Sequence, residues 1–528
     1  MSPKESGMSR MLFPIGIQTF SEIRENGLVY VDKTEYIHNL VSTSKYIFLS
    51  RPRRFGKSLL LSTIKAFFEG RRELFEGLAI AEYEHDWEPH PVLHFDFSGN
   101  NYNSFKGFES QINRIFTEFE NKYEITTDDA DTFGVRFRRI IQTAHNKTGK
   151  RVVILIDEYD KALLETVDNE PLQEQIRNEL RGIYGNLKGQ DAHIRFAMLT
   201  GVTRFGYLSI FSDLNNLQDI SMSEQYAGIC GITTEELHKY FHERIKLFSK
   251  KEGTSVESVY KELKRNYDGY HFSPVNSPDI YNPFSLLNSL SECNFDDYWF
   301  RTGTPTSLVK MIRNGNISLQ HLNNYDSGIR ALSDVSFNLS NYISVLYQSG
   351  YLTIKGYDKE FRMVRLGFPN MEVERGFLNY LLCIYTDIPE NETEFAIRKF
   401  VLDVRNGRTE DFMQRLQSFF SDFGYDSFDL KNLERHYQDV IYITMKLMGF
   451  HTDIEYKTAS GRIDMLIRTA DYIYIFEFKI DKSAKEALEQ IDSKDYMLPF
   501  KADGRKIIKI GANFSSEIRS IDSWIIES

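Results

Sequence analysis

Toward the C-terminal end of the 528-residue chain, Asp464 lies in the run Arg462-Ile463-Asp464-Met465-Leu466-Ile467, and Glu477 and Lys479 lie in Tyr474-Ile475-Phe476-Glu477-Phe478-Lys479. Both runs have the apolar and aromatic content of strands, so the three side chains fall at adjoining strand ends. Two carboxylates and a lysine there can hold a divalent cation and a water beside a phosphodiester. Carboxylate oxygens suit a hard cation, the cation neutralises the scissile phosphate and yields hydroxide near neutral pH, and the lysine positions the water. Glu477 and Lys479 are two apart and leave one face of the strand, which turns Phe476 and Phe478 toward a core. A half-buried strand with no function satisfies the same alternation, so Glu-x-Lys alone does not define a site.

A second set of residues concerns a nucleotide. The strand-like Tyr46-Ile47-Phe48-Leu49 runs into Ser50-Arg51-Pro52-Arg53-Arg54-Phe55-Gly56-Lys57-Ser58, followed by a helical pattern through Phe68. A loop between a strand and a helix N-terminus presents N–H groups to phosphate oxygens, and the helix dipole favours their charge. Arg53, Arg54, Phe55, Gly56, Lys57 and Ser58 are therefore candidate nucleotide-binding residues. Lys57 would reach the β and γ phosphates, and the Ser58 hydroxyl would ligate magnesium. Arg51 stands where the general pattern has glycine. Val152 to Ile156 is an uninterrupted apolar run, as a buried parallel strand would be, and it ends in Asp157-Glu158. Asp157 can hold magnesium and Glu158 can polarise the attacking water; the competing reading is that these acids only cap the next helix. A third strand ends in Leu199-Thr200-Gly201, which puts Thr200 where it could orient that water. Three such strand ends in order favour a nucleotide site.

Elements must hold these residues in place. Short β-rich runs (46–49, 92–95, 152–156, 194–199) alternate with amphipathic helical segments between Lys45 and about Gly228, the pattern of a parallel sheet covered on both faces. A leading segment with Gly16-Ile17-Gln18-Thr19-Phe20 and Tyr30-Val31-Asp32-Lys33-Thr34 precedes it without periodicity. After Gly231 the chain turns helical, beginning at Thr233-Thr234-Glu235-Glu236-Leu237, which has the hydroxyl and acids of a helix start. Between Tyr342 and Tyr380 the order helix, strand pair (351–354 and 361–366), helix from Glu372 resembles a winged helix. The final unit reads helix 432–447, strands near 452–455, 463–467 and 472–479, helix 484–497 and strand 506–512. The fold class expected is α/β: a P-loop NTPase parallel sheet over 1–230, a helical and winged-helix-like region over 231–390, and an α/β unit over 391–528.

Composition sets outer limits. With 41% hydrophobic residues the chain can bury several cores, and a net charge of -11 makes any contact with nucleic acid local rather than global. Cys230, Cys293 and Cys383 are few and far apart, which fits buried thiols in a reduced compartment and gives no metal spacing. No run of about 18 uncharged apolar residues occurs and none follows the first charges, so a soluble cytoplasmic protein with no membrane partner is expected.

Together Gln18-Thr19-Phe20, Tyr30 to Thr34, Arg51 to Ser58 and Asp157-Glu158-Tyr159-Asp160 resemble the AAA-like ATPases of a bacterial family that couples such a domain to a C-terminal nuclease-like one. The resemblance runs over nearly the whole chain and includes Tyr298-Trp299 and Thr302-Gly303. It implies Walker A and Walker B elements, binding and hydrolysis of ATP with Mg2+, and an arginine-rich loop as the usual form, which accommodates Arg51. Arg204 and Arg301 are candidates for the arginine that such sites use on the transferring phosphoryl group. The last unit resembles the PD-(D/E)XK nuclease superfamily, a restriction-endonuclease-like fold, with Ile463-Asp464 in place of Pro-Asp. That resemblance implies Asp464 and Glu477 as ligands of Mg2+ or Mn2+, Lys479 as the catalytic lysine, and Glu434 and Gln490 as accessory residues, with Glu455 competing for the accessory role. It also implies hydrolysis of nucleic acid, DNA first, and it leaves homo-oligomerisation open. Residues 431–528 carry 15 Lys plus Arg against 16 Asp plus Glu. That near-neutral balance keeps open a nucleotide-driven switch or scaffold that binds a partner without cutting, and an ATPase with a vestigial nuclease fold.

Overall fold

The computed structural model describes residues 11–99, 101–128, 130–204, 211, 214, 216–302, 319–333, 342–386, 389–421, 433–449, 451–518 and 520–528. The chain divides into two compact units, Met1–Gly315 with Asn324–Val373, and Asn316–Asn323 with Glu374–Ser528.

The first unit is built on a parallel five-stranded sheet of β1 (Tyr46–Ser50), β2 (Val92–Asp96), β3 (Val152–Asp157), β4 (Ile194–Gly201) and the two-residue β5 (Gln218–Asp219), in the order β2-β3-β4-β1-β5. The apolar runs account for the four long strands. Helices on both faces leave no polar side, so β1 and β3 are buried at every position. From β1 the chain goes to the far edge, returns through β3 and β4, then passes over β1 to β5. Direction thus reverses beside β1, where open α/β sheets bind ligands at the carboxyl ends of their strands. The ends of β1, β3 and β4 all reach that edge, carrying Arg51, Asp157 and Thr200.

Past the sheet, the helix Thr234–Glu252 opens with a capping box between Thr233 and Glu236, as the hydroxyl and acids there predict. The short strands β6 (Ile232–Thr233) and β7 (Ile280–Tyr281) pair just before the helix Pro283–Glu292. The helix Tyr342–Ser349 is followed by β9 (Thr353–Asp358) and β10 (Met363–Gly367), and β8 (Tyr325–Gly328) completes an antiparallel sheet β8-β10-β9. The hairpin lies about two residues later than the pattern predicts. Tyr351 and Leu352 are buried at the helix exit, and the turn takes Phe361 and Arg362, the latter at φ +53°. Gly350, at φ +90°, ends the helix where a Cβ would lie 2.7 Å from Pro52 Cβ.

The second unit holds a mixed sheet of β11 (His451–Thr458), β12 (Gly461–Arg468), β13 (Tyr472–Ile480), β14 (Lys506–Ser515) and β15 (Ser520–Glu527), in that order. Only β13 and β14 are parallel, joined over the helix Ala484–Ser493. That helix stops four residues before the expected Met497, with Asp495 in the left-handed region at φ +45°. Ile473 and Ile475 pack with Leu488 and Ile491 on one face of β13. On the other face Phe476 meets Phe412, and Phe478 meets Phe514. Among the described residues no helix is long and apolar enough to cross a membrane. Cys230 and Cys293 are buried free thiols and Cys383 is half-buried.

Candidate nucleotide and metal sites

The loop from Arg51 to Gly56 turns sharply into the helix Lys57–Phe68, with Arg54 at φ +67° and Gly56 at φ +91°. The φ at Gly56 costs a glycine little, and a Cβ there would meet nothing within 4 Å, so conformation rather than space selects the glycine. Arg51 is 1% exposed; its guanidinium donates to the carbonyls of Ser50, Ser221 and Tyr226 and stacks 4.1 Å from the Phe272 ring. It fastens the loop to the segment after β5 and does not face the cavity. Phe55 is also inside, edge-on to Tyr270 and Phe272. Arg53, Arg54, Gly56, Lys57 and Ser58 line a cavity of about 450 Å3. Lys57 folds back, its ammonium donating to the carbonyls of Arg51 (3.0 Å) and Pro52 (3.2 Å), a position it would leave to meet a phosphate.

At the ends of the neighbouring strands Asp157 is 3% exposed, and its Oδ1 accepts from Thr200 Oγ1 at 2.6 Å and from the Glu158 N–H at 3.0 Å. Thr200 therefore orients the acid directly. Glu158 takes φ +52°, a conformation sterically costly for a side chain with a Cβ, and reaches the same cavity as Lys57 and Ser58. Tyr159 N donates to Thr200 O, and the wholly buried Asp160, its carboxyl pushed up by burial, accepts from the N–H groups of Val202 and Thr203 and from the Thr203 hydroxyl. Gly201 gives room for this clamp: a Cβ there would lie 2.6 Å from Asp160 Oδ1 and 2.6 Å from Tyr159 Cε1. Gly201→Ala is expected to destabilise the protein by about 1–3 kcal/mol, checked as a lower denaturation midpoint in urea.

Sequence reasoning missed the far wall of the cavity. Pro14 to Gln18 and, from the helix Pro283–Glu292, Phe284, Leu287 and Asn288 face the loop. An adjoining apolar cavity of about 90 Å3 includes Val29, Ile229, Cys230 and Ile232 and shares Gly56, Leu59 and Leu287 with the larger one. Arg54 stacks 4.8 Å from Phe284. Neither proposed phosphoryl arginine lines the cavity. Arg204 pairs with Asp219 at 2.5 Å and Arg301 with Asp296 at 2.7 Å. Trp299 Nε1 donates to the Arg53 carbonyl, and Gly303 lies outside the described residues.

In the second unit the ladder between β12 and β13 ends at the pair Met465 and Phe476, where the strands separate. Asp464 and Glu477 come next on the separating strands. There the Asp464 side chain takes over the ladder, its Oδ2 accepting the Phe478 N–H at 2.8 Å. Glu477 is 1% exposed; its Oε1 accepts from Lys479 Nζ at 3.0 Å and from Gln490 Nε2, while its Oε2 is buried with no hydrogen-bond partner. Lys479 Nζ also donates to Gln490 Oε1 at 2.7 Å, so Gln490 holds both groups. Burial, then the charge of Asp464, pushes the Glu477 carboxyl up to about 7. Asp464, Glu477, Lys479 and Gln490 are thus brought together. Glu434 lies on the helix Leu433–Leu447 and Glu455 on β11, and both side chains lie outside the described residues. Among the described residues no three His, Cys, Asp or Glu side chains gather as a metal site. The unpartnered Glu477 oxygen beside Asp464 nevertheless fits a divalent cation, which would supply the missing partner.

Comparison with known proteins agrees with both halves. Residues 14–211 match the family described as "Predicted AAA-ATPase", and residues 432–524 match the PD-(D/E)XK nuclease superfamily. An uncharacterized protein in the vnfD 5′ region of Azotobacter chroococcum mcd 1 is 34% identical over 533 residues, 99% of this chain and 100% of that one. Among solved structures, the Aeropyrum pernix ORC1 protein in complex with DNA is 11% identical, covering 66% of this chain and 92% of its own, at a TM-score of 0.26. The Aeropyrum pernix ORC2 protein in its ADPNP–ADP complexes is 10% identical, covering 69% and 92%, at 0.25. Scores this low carry no functional argument. The full-length match and the two domain matches, in the order that the two sites occupy along the chain, mean that this protein belongs to the family of the Azotobacter protein, which joins an AAA-ATPase-like domain to a PD-(D/E)XK nuclease-superfamily domain.

Proposed function

We propose that the protein hydrolyses ATP and that its nucleotide state governs a metal-dependent nuclease acting on DNA. The observation that carries the nuclease half is the buried Glu477 carboxylate, with one oxygen held by Lys479 and Gln490 and the other unpartnered beside Asp464. Asp464 and Glu477 would hold Mg2+ or Mn2+, which when bound neutralises charge on the scissile phosphate and lowers the pKa of a water. Gln490 fixes the Glu477 carboxylate and the Lys479 ammonium to each other, so the second oxygen stays turned away from them. Lys479 then presents a positive donor to the attacking water. In the first unit, Lys57 would turn from its loop carbonyls to the phosphates, Ser58 and Asp157 would hold Mg2+, Thr200 keeps Asp157 oriented, and Glu158 would polarise the water.

The raised Glu477 carboxyl gives a test that needs no turnover. A protonated carboxyl cannot ligate, so Mn2+ affinity is expected to rise about tenfold per pH unit below pH 7 and to level off above it. Without metal the sign for stability is opposite: a carboxyl raised in the folded state stabilises below its unfolded pKa, and this is lost as pH rises through about 7. Calorimetric Mn2+ titrations from pH 5.5 to 8 on wild type and Glu477→Gln check this. A pH-independent affinity, or one that survives the substitution, contradicts the assignment. The near-neutral charge of residues 431–528 favours a second reading, in which this unit recognises a partner and cuts nothing.

A further inference from the structure

Transfer of a γ-phosphoryl group to water concentrates charge on the phosphoryl oxygens, and sites of this kind place a cation there. The two arginines singled out for that task are paired elsewhere and line no part of the cavity. Among the described residues four cationic side chains do line it: Arg53, Arg54, Lys57 and Lys161. The first three come from the phosphate loop. Arg54 stacks on Phe284, and Lys57 would serve the β and γ phosphates. Lys161 comes instead from the segment after β3, three residues past Glu158, and lines the cavity together with Glu158, Ser58 and Ser98.

Its backbone is tightly held. Lys161 N donates to Glu158 O at 3.1 Å, and Asp160, beside it, is clamped to Val202 and Thr203. Its side chain is only 21% exposed; the ammonium donates to the Ser98 carbonyl and lies 3.8 Å from Glu165 Oε1. One neutral acceptor and one loose ion pair hold the ammonium, and both exchange readily for a phosphate oxygen.

We propose that Lys161 is the transition-state cation of the ATPase, supplied from within the same chain; this rests on the ATP-hydrolysing reading above. In the step it serves, the water oxygen forms a new bond to the γ phosphorus. The bond from that phosphorus to the β–γ bridging oxygen breaks, and its electron pair leaves with ADP. The water proton passes to Glu158 and from there to the released phosphate. Lys161 swings from Ser98 to the γ-phosphoryl oxygens and changes no bond of its own.

The test uses the full chain as wild type, Lys161→Gln and Lys161→Arg. Gln can still donate to Ser98 O, so it keeps a purely structural role and removes the charge. Lys161→Gln is expected to lower kcat about 10²- to 10³-fold, with affinity for a fluorescent ATP analogue within threefold of wild type and with partial recovery in Lys161→Arg. It is also expected to lose the tightening of ADP binding that aluminium fluoride gives wild type. A Lys161→Gln protein with wild-type kcat and wild-type tightening overturns the role of Lys161 and leaves the ATPase standing. A wild type that shows neither turnover nor tightening overturns both.

Discussion

Asp464→Ala is expected to reduce metal-dependent phosphodiester cleavage by on the order of 10³-fold, because a bound cation supplies several kcal/mol of transition-state stabilisation. The substitution acts twice. It removes one of two carboxylates at the point where β12 and β13 separate, and it takes from the Phe478 N–H the acceptor that holds β13 in place there. Asp464→Asn separates the effects, since an amide oxygen can still accept that N–H while ligating a cation poorly. Both variants are expected to lose most cleavage, Asp464→Ala at least as much as Asp464→Asn, measured as loss of full-length DNA in Mg2+ or Mn2+. An Asp464→Asn protein that cuts like wild type places the metal elsewhere.

The second large effect belongs to Glu158. Replacing it with Gln keeps size and hydrogen bonding and removes the base, so kcat for ATP is expected to fall about 10²- to 10⁴-fold with ATP binding retained. Glu158 holds φ +52° directly after the buried, fully oriented Asp157, so its place is set by backbone rather than by its own contacts. Phosphate release and equilibrium binding of a fluorescent ATP analogue measure the two quantities. A Glu158→Gln protein that turns over normally would make Asp157-Glu158 the mere helix cap of the competing reading.

These two sites differ in how far the chain itself announces them. The strands β1 and β3, which lead into Arg51 and Asp157, are apolar runs buried at every position, and β4, which carries Thr200, is broken only by the half-buried Arg195, so burial on both faces of a parallel sheet leaves no polar alternation. Their order in the sheet then brings Asp157 and Thr200 together, which three separate strand ends only suggest. The far wall of the cavity was not legible. Pro14 to Gln18 lack periodicity, and Phe284 and Leu287 read as ordinary helix faces about 270 residues away. No local pattern brings such segments together. Arg51 reads as a departure from a glycine position, and only the fold reveals the carbonyls and the Phe272 ring that hold it inside.

In the second unit the alternation of Glu477 and Lys479 with Phe476 and Phe478 is visible in the sequence, and Phe476 and Phe478 pack as it predicts, while the face of Glu477 is also packed, through Ile473 and Ile475. Its asymmetry was hidden. That Gln490 holds one oxygen of Glu477 together with Lys479, leaving the other unpartnered, depends on the helix Ala484–Ser493 crossing between two parallel strands. β15 escaped notice because an edge strand alternates weakly: Ser523 and Trp524 follow one another near the surface, and Ile525 stays 37% exposed.

The coupling of the two activities is the central claim, and one measurement reaches it most directly. Wild type and Lys57→Ala, with Asp464→Ala as the control, are incubated with linear, circular and single-stranded DNA in Mg2+ or Mn2+, with and without ATP. Cleavage that changes with ATP in wild type, that no longer responds to ATP in Lys57→Ala and that falls to a residual rate in Asp464→Ala is the predicted result. Equal ATP-independent cleavage by wild type and Lys57→Ala contradicts the coupling, and no metal-dependent cleavage of any of these DNAs contradicts the nuclease itself.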